Sequence, residues 1–275
     1  MSVQNYAIPP ILQLEPTTAC NLDCPFCLRR SLNRSEEYIS FDDFQHIINK
    51  SRSRYLTLHG WGEPLLHPDL PAMIRYATER KFSVNFTTNA TLLPGKTKAL
   101  LDSGLDAIAF SFPEAQQFTP VITGNVAGFI QERAARKQKL PKTYINIALM
   151  EGNPDCIEKG LDLAMTSGVD VVNFERSFPW TETQAKTEKH LFSRIKTAAR
   201  KTGCTVTLPP SHTNPCPLLR LTLFVRTNGD VAPCCYRADT CLGNIVRDGL
   251  PQIIRNRAQF MKTIRSDPVC RTCHV

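Results

Sequence analysis

Glu15-Pro-Thr-Thr-Ala-Cys20-Asn-Leu-Asp-Cys24-Pro-Phe-Cys27 is the stretch that decides how this chain is read. Three thiols are spaced by three and then two residues, directly after Ile11-Leu-Gln-Leu-Glu15, a short apolar run suited to a strand. Iron-sulfur clusters are held by thiolates and a cubane normally takes four, so a compact group of three leaves one iron with an open coordination position. Zinc is the competing reading. It prefers four closed ligands arranged in C-x2-C pairs, and a three-then-two spacing is unusual for it.

Outward from that run, β-branched stretches and amphipathic segments alternate from residue 10 to about residue 205, the pattern of repeated βα units and a parallel sheet. The expected strands are Ile11–Glu15, Tyr55–His59, Ser83–Thr87, Ala107–Phe112, Tyr144–Leu149 and Val169–Phe174. Phe41, Phe44, Ile47 and Ile48 mark one apolar helical stripe, and Leu70, Met73, Ile74 and Ala77 another. Six such units predict an α/β fold, a partial (β/α)6 TIM-like barrel whose active residues lie at the C-terminal ends of the strands. After about Pro209 the helical periodicity lapses. Arg220–Val225 and Asp230–Ala232 flank Thr227-Asn-Gly229, a strong hairpin signal, and a helix is expected over Leu250–Ile264. The division expected is 1–208 for the barrel and 209–275 for a small hairpin-plus-helix domain.

The chain has 275 residues, enough for one large domain with a small one, and eleven cysteines, too many to serve as core filler. Met1 to Tyr6 is polar and Pro9-Pro10 follows, so no signal peptide is expected, and no apolar run approaches a bilayer span. The thiols are then expected to stay reduced and bind metal in a cytoplasmic protein. The net charge of +8 comes from dispersed basic residues, with clusters at Arg133–Lys142 and Lys186–Lys201 that read mainly as solvated helix faces. No RNA-recognition or helix-turn-helix signature accompanies them, so neither a nucleic acid nor a membrane is the expected partner.

The cysteine triplet with Phe26 before its third member resembles the radical S-adenosylmethionine (SAM) enzymes. The resemblance implies a 4Fe-4S cluster on Cys20, Cys24 and Cys27 whose free iron binds SAM, with Phe26 against the adenine. Gly60-Trp61-Gly62-Glu63-Pro64 resembles the family's Gly-Gly-Glu-Pro motif, which receives the SAM ammonium group; glycines admit the ligand close to the main chain and a carboxylate complements the cation. Read alone, such a loop is also a common turn. Thr88, Asn89 and Ser111 end strands three and four and match the family's ribose and carboxylate contacts, although each could equally cap a turn or helix. By the same resemblance Asn146 and Val172 line the pocket.

Cys216, Cys234, Cys270 and Cys273 follow a pattern, C-x(12)-G-x(4)-C then C-x2-C, that resembles the twitch form of the family's SPASM domain. It implies one auxiliary 4Fe-4S cluster with four protein thiolates; a zinc knot on the same residues is the alternative. Cys235 adjoins a ligand and is read as a spare ligand, a hydrogen-atom donor or a packed bystander. Cys241 flanks the same site, and Cys156 and Cys204 read as small hydrophobes.

The resemblance implies reductive cleavage of SAM to a 5'-deoxyadenosyl radical, hydrogen abstraction from a small polar or anionic substrate, and an auxiliary cluster that takes up an electron in a net two-electron dehydrogenation. An external one-electron reductant of flavodoxin or ferredoxin type is the implied partner. Arg176, Tyr236 and Arg237 are candidate substrate contacts. A peptide substrate would need a separate recognition protein, as only about ten residues precede the first strand. Two alternatives stay open: an epimerase or peptide maturase with a cysteine hydrogen donor, and a non-catalytic zinc or iron-sulfur binding module.

Overall fold

The computed structural model describes residues 8–32, 34–149, 155–178, 182–210 and 216–273. The polar opening Met1–Tyr6 lies outside them. In chain order the strands and helices are β1 (Ile11–Leu14), α1 (Arg29–Leu32), α2 (Phe41–Lys50), β2 (Tyr55–Thr57), α3 (Leu70–Glu79), β3 (Ser83–Thr88), α4 (Thr97–Leu101), β4 (Ala107–Ser111), α5 (Pro120–Ala135), β5 (Lys142–Leu149), α6 (Asp155–Ser167), β6 (Val171–Arg176), α7 (Glu182–Thr202), β7 (Val206–Thr207), α8 (Pro217–Leu221), β8 (Thr222–Val225), β9 (Val231–Ala232), α9 (Leu250–Thr263) and α10 (Pro268–Thr272).

Contacts divide the chain into two compact units, Met1–Phe86 with Thr213–Arg271, and Thr87–His212 with Thr272–Val275. In the first, the strand order is β3-β2-β1-β8-β9. β1 lies parallel to β2 on one side and to β8 on the other, from Ile11 opposite Thr222 to Leu14 opposite Val225. Strand β1 is therefore central, and Leu12, Leu14 and Glu15 are wholly buried. Helix α2 begins where the Ser40 side chain accepts the Asp43 N–H, and Asp42 and Asp43 sit favourably in its positive first turn. Its buried stripe is Phe44, Ile47 and Ile48. The Asn-Gly signal is realised as the antiparallel β8–β9 pair, with Gly229 at φ +81°.

In the second unit β4, β5, β6 and β7 are successive parallel neighbours. Burial alternates along β5, where Thr143, Ile145, Ile147 and Leu149 are buried and Tyr144, Asn146 and Ala148 are half-buried. Helix α6 lies so close over this sheet that a Cβ on Gly160 would stand 2.2 Å from Ile147 Cδ1 and 3.8 Å from Val172 Cγ1. That side is the helix-covered one.

Among the described residues β7 and β9 each have a neighbour on one side only, so the sheet of each unit ends in an open edge. The expected α/β class, an open barrel with a C-terminal hairpin and helix, is the one found. Among the described residues, no helix is long and apolar enough to cross a membrane.

Candidate functional site

The loop after β1 is built to hold thiols in place. Thr17 and Thr18 hydroxyls donate to the Glu37 and Ser35 carbonyls at 2.7 Å each, and Thr17 bridges Tyr38, which pins the chain up to Ala19. From there Cys20, Cys24 and Cys27 follow, none in a disulfide and all half-buried. The Cys27 N–H donates to the Cys24 carbonyl at 3.1 Å, and the Leu22 N–H reaches Cys20 Sγ at 3.5 Å. Arg29, in the helix that starts just past Cys27, donates to the Leu22 carbonyl at 3.1 Å and pairs with Asp23 at 3.5 Å, closing the loop on itself. Burial pushes the Cys20 thiol up, opposed by the Leu22 N–H and Arg29 and reinforced by Glu63 and Cys27. Phe26 is 38% exposed.

Gly60-Trp61-Gly62-Glu63 is fitted against the same strand end. A Cβ on Gly62 would lie 2.1 Å from the Thr17 carbonyl oxygen, and one on Gly60 would lie 2.5 Å from Glu15 Cγ. The Glu63 N–H donates to the Ala19 carbonyl at 2.8 Å, one residue before the first thiol. Buried Glu15 accepts from the Trp61 N–H at 2.9 Å and takes a two-armed ion pair from Arg34 at 2.7 and 3.1 Å. Glu63 Oε1 accepts from the Leu65 N–H, opening a short 3-10 turn.

The later cysteines also lie mainly in the first unit. Cys216 precedes α8, Cys234 follows β9, Cys270 rides on α10, and Cys273 comes just after that helix ends at Thr272. Burial drives the Cys234 thiol far up; Cys235 and Cys216 add to this, against the N–H groups of Arg237 and Tyr236. Arg237 pairs with Asp239 at 2.8 Å and with Asp267 at 3.2 Å. Asp267 Oδ1 in turn accepts the Val269 and Cys270 N–H groups at 3.0 and 2.9 Å, so one carboxylate joins the Cys234 segment to the Cys270 turn. Cys235 and Leu32 pack against Phe224, Ala232 and Ala238. Tyr236 meets the Trp61 ring edge-on at 5.8 Å.

Both thiol groups fit iron-sulfur clusters by their chemistry: the donors are all soft sulfur, and backbone N–H groups of Leu22, Tyr236 and Arg237 point at two of them. Among the described residues, no three His, Cys, Asp or Glu side chains are grouped to hold a single metal ion.

The second unit carries the remaining predicted residues. The Thr88 hydroxyl accepts from the Ala90 N–H, and Asn89 Oδ1 accepts from the Thr91 N–H and hydroxyl, so both organise the turn after β3. Ser111 stands opposite Asn146 on the side away from α6. Val172 is not on that side; it is fully buried next to Gly160 of α6. Arg176 is likewise turned away, held by Glu188 at 2.6 and 3.0 Å and by the Pro210 carbonyl at 2.7 Å. Sequence reasoning passed over Asn173 and Glu175, whose period-two placement opposite to Val172 and Arg176 was the available signal.

The model of the radical SAM superfamily matches residues 14–164, more than half of the chain, and that of the SPASM iron-sulfur cluster-binding domain matches residues 216–274. The chain is 31% identical over 176 residues to a PqqA peptide cyclase of Rhodopseudomonas palustris, covering 58% of this chain and 46% of the relative. It is 26% identical over 188 residues to a tungsten-containing aldehyde ferredoxin oxidoreductase cofactor-modifying protein of Pyrococcus furiosus, covering 63% and 53%. The chain thus spans about half the length of these two relatives. In fold it is similar to SuiB of Streptococcus suis bound to S-adenosylmethionine, with a TM-score of 0.71, 16% identity, and coverage of 96% of this chain and 67% of that one.

Proposed function

The chain belongs to the radical SAM superfamily and carries its SPASM iron-sulfur domain, and from that premise we propose that it oxidises a small polar substrate by two electrons, as a dehydrogenase. Its cofactors are the family's: a 4Fe-4S cluster, SAM and an auxiliary iron-sulfur cluster. In this reading Cys20, Cys24 and Cys27 hold the first cluster, and Cys216, Cys234, Cys270 and Cys273 the second. When bound, cluster and SAM together supply a 5'-deoxyadenosyl radical able to take hydrogen from an unactivated carbon, and the auxiliary cluster supplies an electron acceptor.

The protein's own residues position and insulate. Gly60 and Gly62 let this loop close onto Glu15, Thr17 and Ala19 at the end of β1, and Glu63, whose N–H donates to the Ala19 carbonyl, is the carboxylate this reading offers to the SAM ammonium group. Phe26 gives an apolar face for the adenine; Thr88, Asn89, Ser111 and Asn146 offer hydroxyl and amide partners. The external electron comes from a flavodoxin- or ferredoxin-type donor.

The observation that carries the reading is the presence of a three-thiol loop together with a separate set of later thiols, since an auxiliary cluster would give a substrate radical a nearby place to lose its electron. Anaerobic iron analysis tests it: about eight irons per chain, falling to about four in C20A/C24A/C27A, is the arithmetic of two cubanes. Unchanged iron in that variant overturns it, as does failure of the reduced wild type to form 5'-deoxyadenosine from SAM. Likeness to a peptide cyclase supports a second reading, peptide modification. An epimerised peptide would gain one deuteron in deuterium oxide at unchanged oxidation state, which separates it from dehydrogenation.

A further inference from the structure

Four adjacent strands of the second unit present a polar side chain at one level. Ser111 on β4 lies opposite Asn146 on β5, Asn146 opposite Asn173 on β6, and Asn173 opposite Thr207 on β7. Hydrogen bonds tie the row together: Asn173 Nδ2 donates to Asn146 Oδ1 at 3.3 Å, and the Thr207 hydroxyl donates to Asn173 Oδ1. The reverse face of these strands holds Ile145, Ile147, Val172 and Phe174, each at most 1% exposed. Parallel sheets covered on both faces read as nearly continuous apolar runs. A row of amides and hydroxyls therefore marks a face meant for something polar.

One step toward the C-terminal end of β6 stands Glu175, opposite Ala148. Asn173 Nδ2 donates to its Oε1 at 2.8 Å and fixes the carboxylate's orientation. Among the described residues no cation pairs with Glu175, and its Oε2 takes no hydrogen bond. The side chain is exposed, yet the protein around it raises the carboxyl above the ordinary range by desolvation, offset in part by the Asn173 amide. Glu175 stands near the C-terminal end of β6, the end of the strands where barrel enzymes do their chemistry.

We propose that Glu175 contacts the substrate, its Oε2 accepting a hydrogen from a hydroxyl or ammonium group, with Asn173 and Thr207 completing the contact face. The inference rests on the enzymatic reading above and narrows its substrate class. Molecules rich in O–H and N–H donors fit; a carboxylate or phosphate at this point would meet an anion that no cation among the described residues offsets.

Ligand-observed NMR on the cluster-reconstituted, SAM-loaded protein tests this with a matched trio: scyllo-inosamine, myo-inositol and glucuronate. The amine and the polyol are expected to bind and the carboxylate to bind worst. Glu175→Gln should weaken the amine about tenfold or more, the loss of one charge-assisted hydrogen bond, and E175D should restore most of it. Equal affinity of wild type and E175Q for the amine, preference for glucuronate, or no binding of any of the three overturns the proposal. Iron content and 5'-deoxyadenosine formation by the wild type are read alongside. If those fail, the enzymatic reading has failed; if they hold while the probes ignore the substitution, only the role of Glu175 has.

Discussion

The indole Nε1 of Trp61 donates to the main-chain oxygen of Cys235 at 2.9 Å, across 174 residues of sequence. Trp61 belongs to the loop fitted against the first thiol group, and Cys235 follows Cys234 of the second. One hydrogen bond and the edge-on Tyr236 contact therefore join the two cysteine regions.

Replacing Trp61 by Phe keeps an aromatic ring near Tyr236 and removes the N–H together with part of the indole's surface. Loss of that single bond should cost about 1 kcal/mol of stability. Trp61→Ala also loses the aromatic contact and should cost about 2–3 kcal/mol, because the ring is only half-buried. Thermal unfolding of the cluster-loaded proteins checks both values. A shifted auxiliary-cluster EPR signal in W61A, with W61F close to wild type, would show that the ring holds the Cys234 segment in register.

Asp267 is the second join, and it makes a separate prediction. Its carboxylate caps the turn carrying Cys270 and pairs with Arg237 beside Cys234. D267A should lower iron from about eight toward about four per chain while leaving the Cys20, Cys24 and Cys27 site loaded. Asp239, 57% exposed at its side chain, only brackets the other arm of Arg237, so D239A should keep its iron. Equal iron in the two variants would contradict this division of roles.

How far the sequence carried the structure depended on the range of the interaction. Strand β3 was legible from its alternation, because one face of Ser83–Thr88 is buried and the other is not. The β8–β9 hairpin was legible from Asn228-Gly229, a local turn signal. Cysteine spacing announced both thiol groups. The parallel seat of β8 against β1 was not legible, since nothing local encodes a partner some 200 residues away. Side-chain direction was not legible at one strand for a simple reason: Val172 and Arg176 fall on the buried face of β6, and a one-residue step along a strand reverses every side chain.

Arg176 shows what that face does instead. Its side chain is 5% exposed and is held by Glu188 and the Pro210 carbonyl. R176A leaves Glu188 without its partner and should cost about 3 kcal/mol, as breaking a largely buried pair does. R176K should recover little, because an ammonium cannot reproduce the two-armed geometry. Urea unfolding of all three proteins gives the comparison, and a fully rescued R176K would refute the argument.

His59 should make the protein acid-sensitive. Its Nδ1 is buried with no partner among the described residues, and burial lowers its pKa from 6.5 to about 4. The unfolded chain therefore binds a proton in this window that the folded chain refuses. Stability from the neutral ring is complete above pH 6.5 and drains away as pH falls toward about 4. Carboxylates contribute their own acid loss, so the readout is a difference. The stability of H59L relative to wild type should rise steadily as pH drops through that window, and a pH-independent gap would dismiss the idea.

Glycine positions give opposite signs from one chemical change. At Gly62 a new Cβ would stand 2.1 Å from the Thr17 oxygen and 2.7 Å from the Ala19 oxygen, both backbone, so G62A must displace the strand end that leads into Cys20. It should cost about 2 kcal/mol or more and lower the iron bound by Cys20, Cys24 and Cys27. Gly124 and Gly128 sit on exposed turns of α5 with nothing within 4 Å of an added Cβ. There alanine restricts the unfolded chain and suits the helix, so G124A and G128A should each add about 0.5–1 kcal/mol. The double variant should gain nearly the sum and keep its iron, because the two side chains face solvent and share no crowded neighbour. Calorimetry with iron analysis on the same samples decides it: a destabilised G124A, or a G62A that keeps both its stability and its iron, would show that the space around these positions has been misjudged.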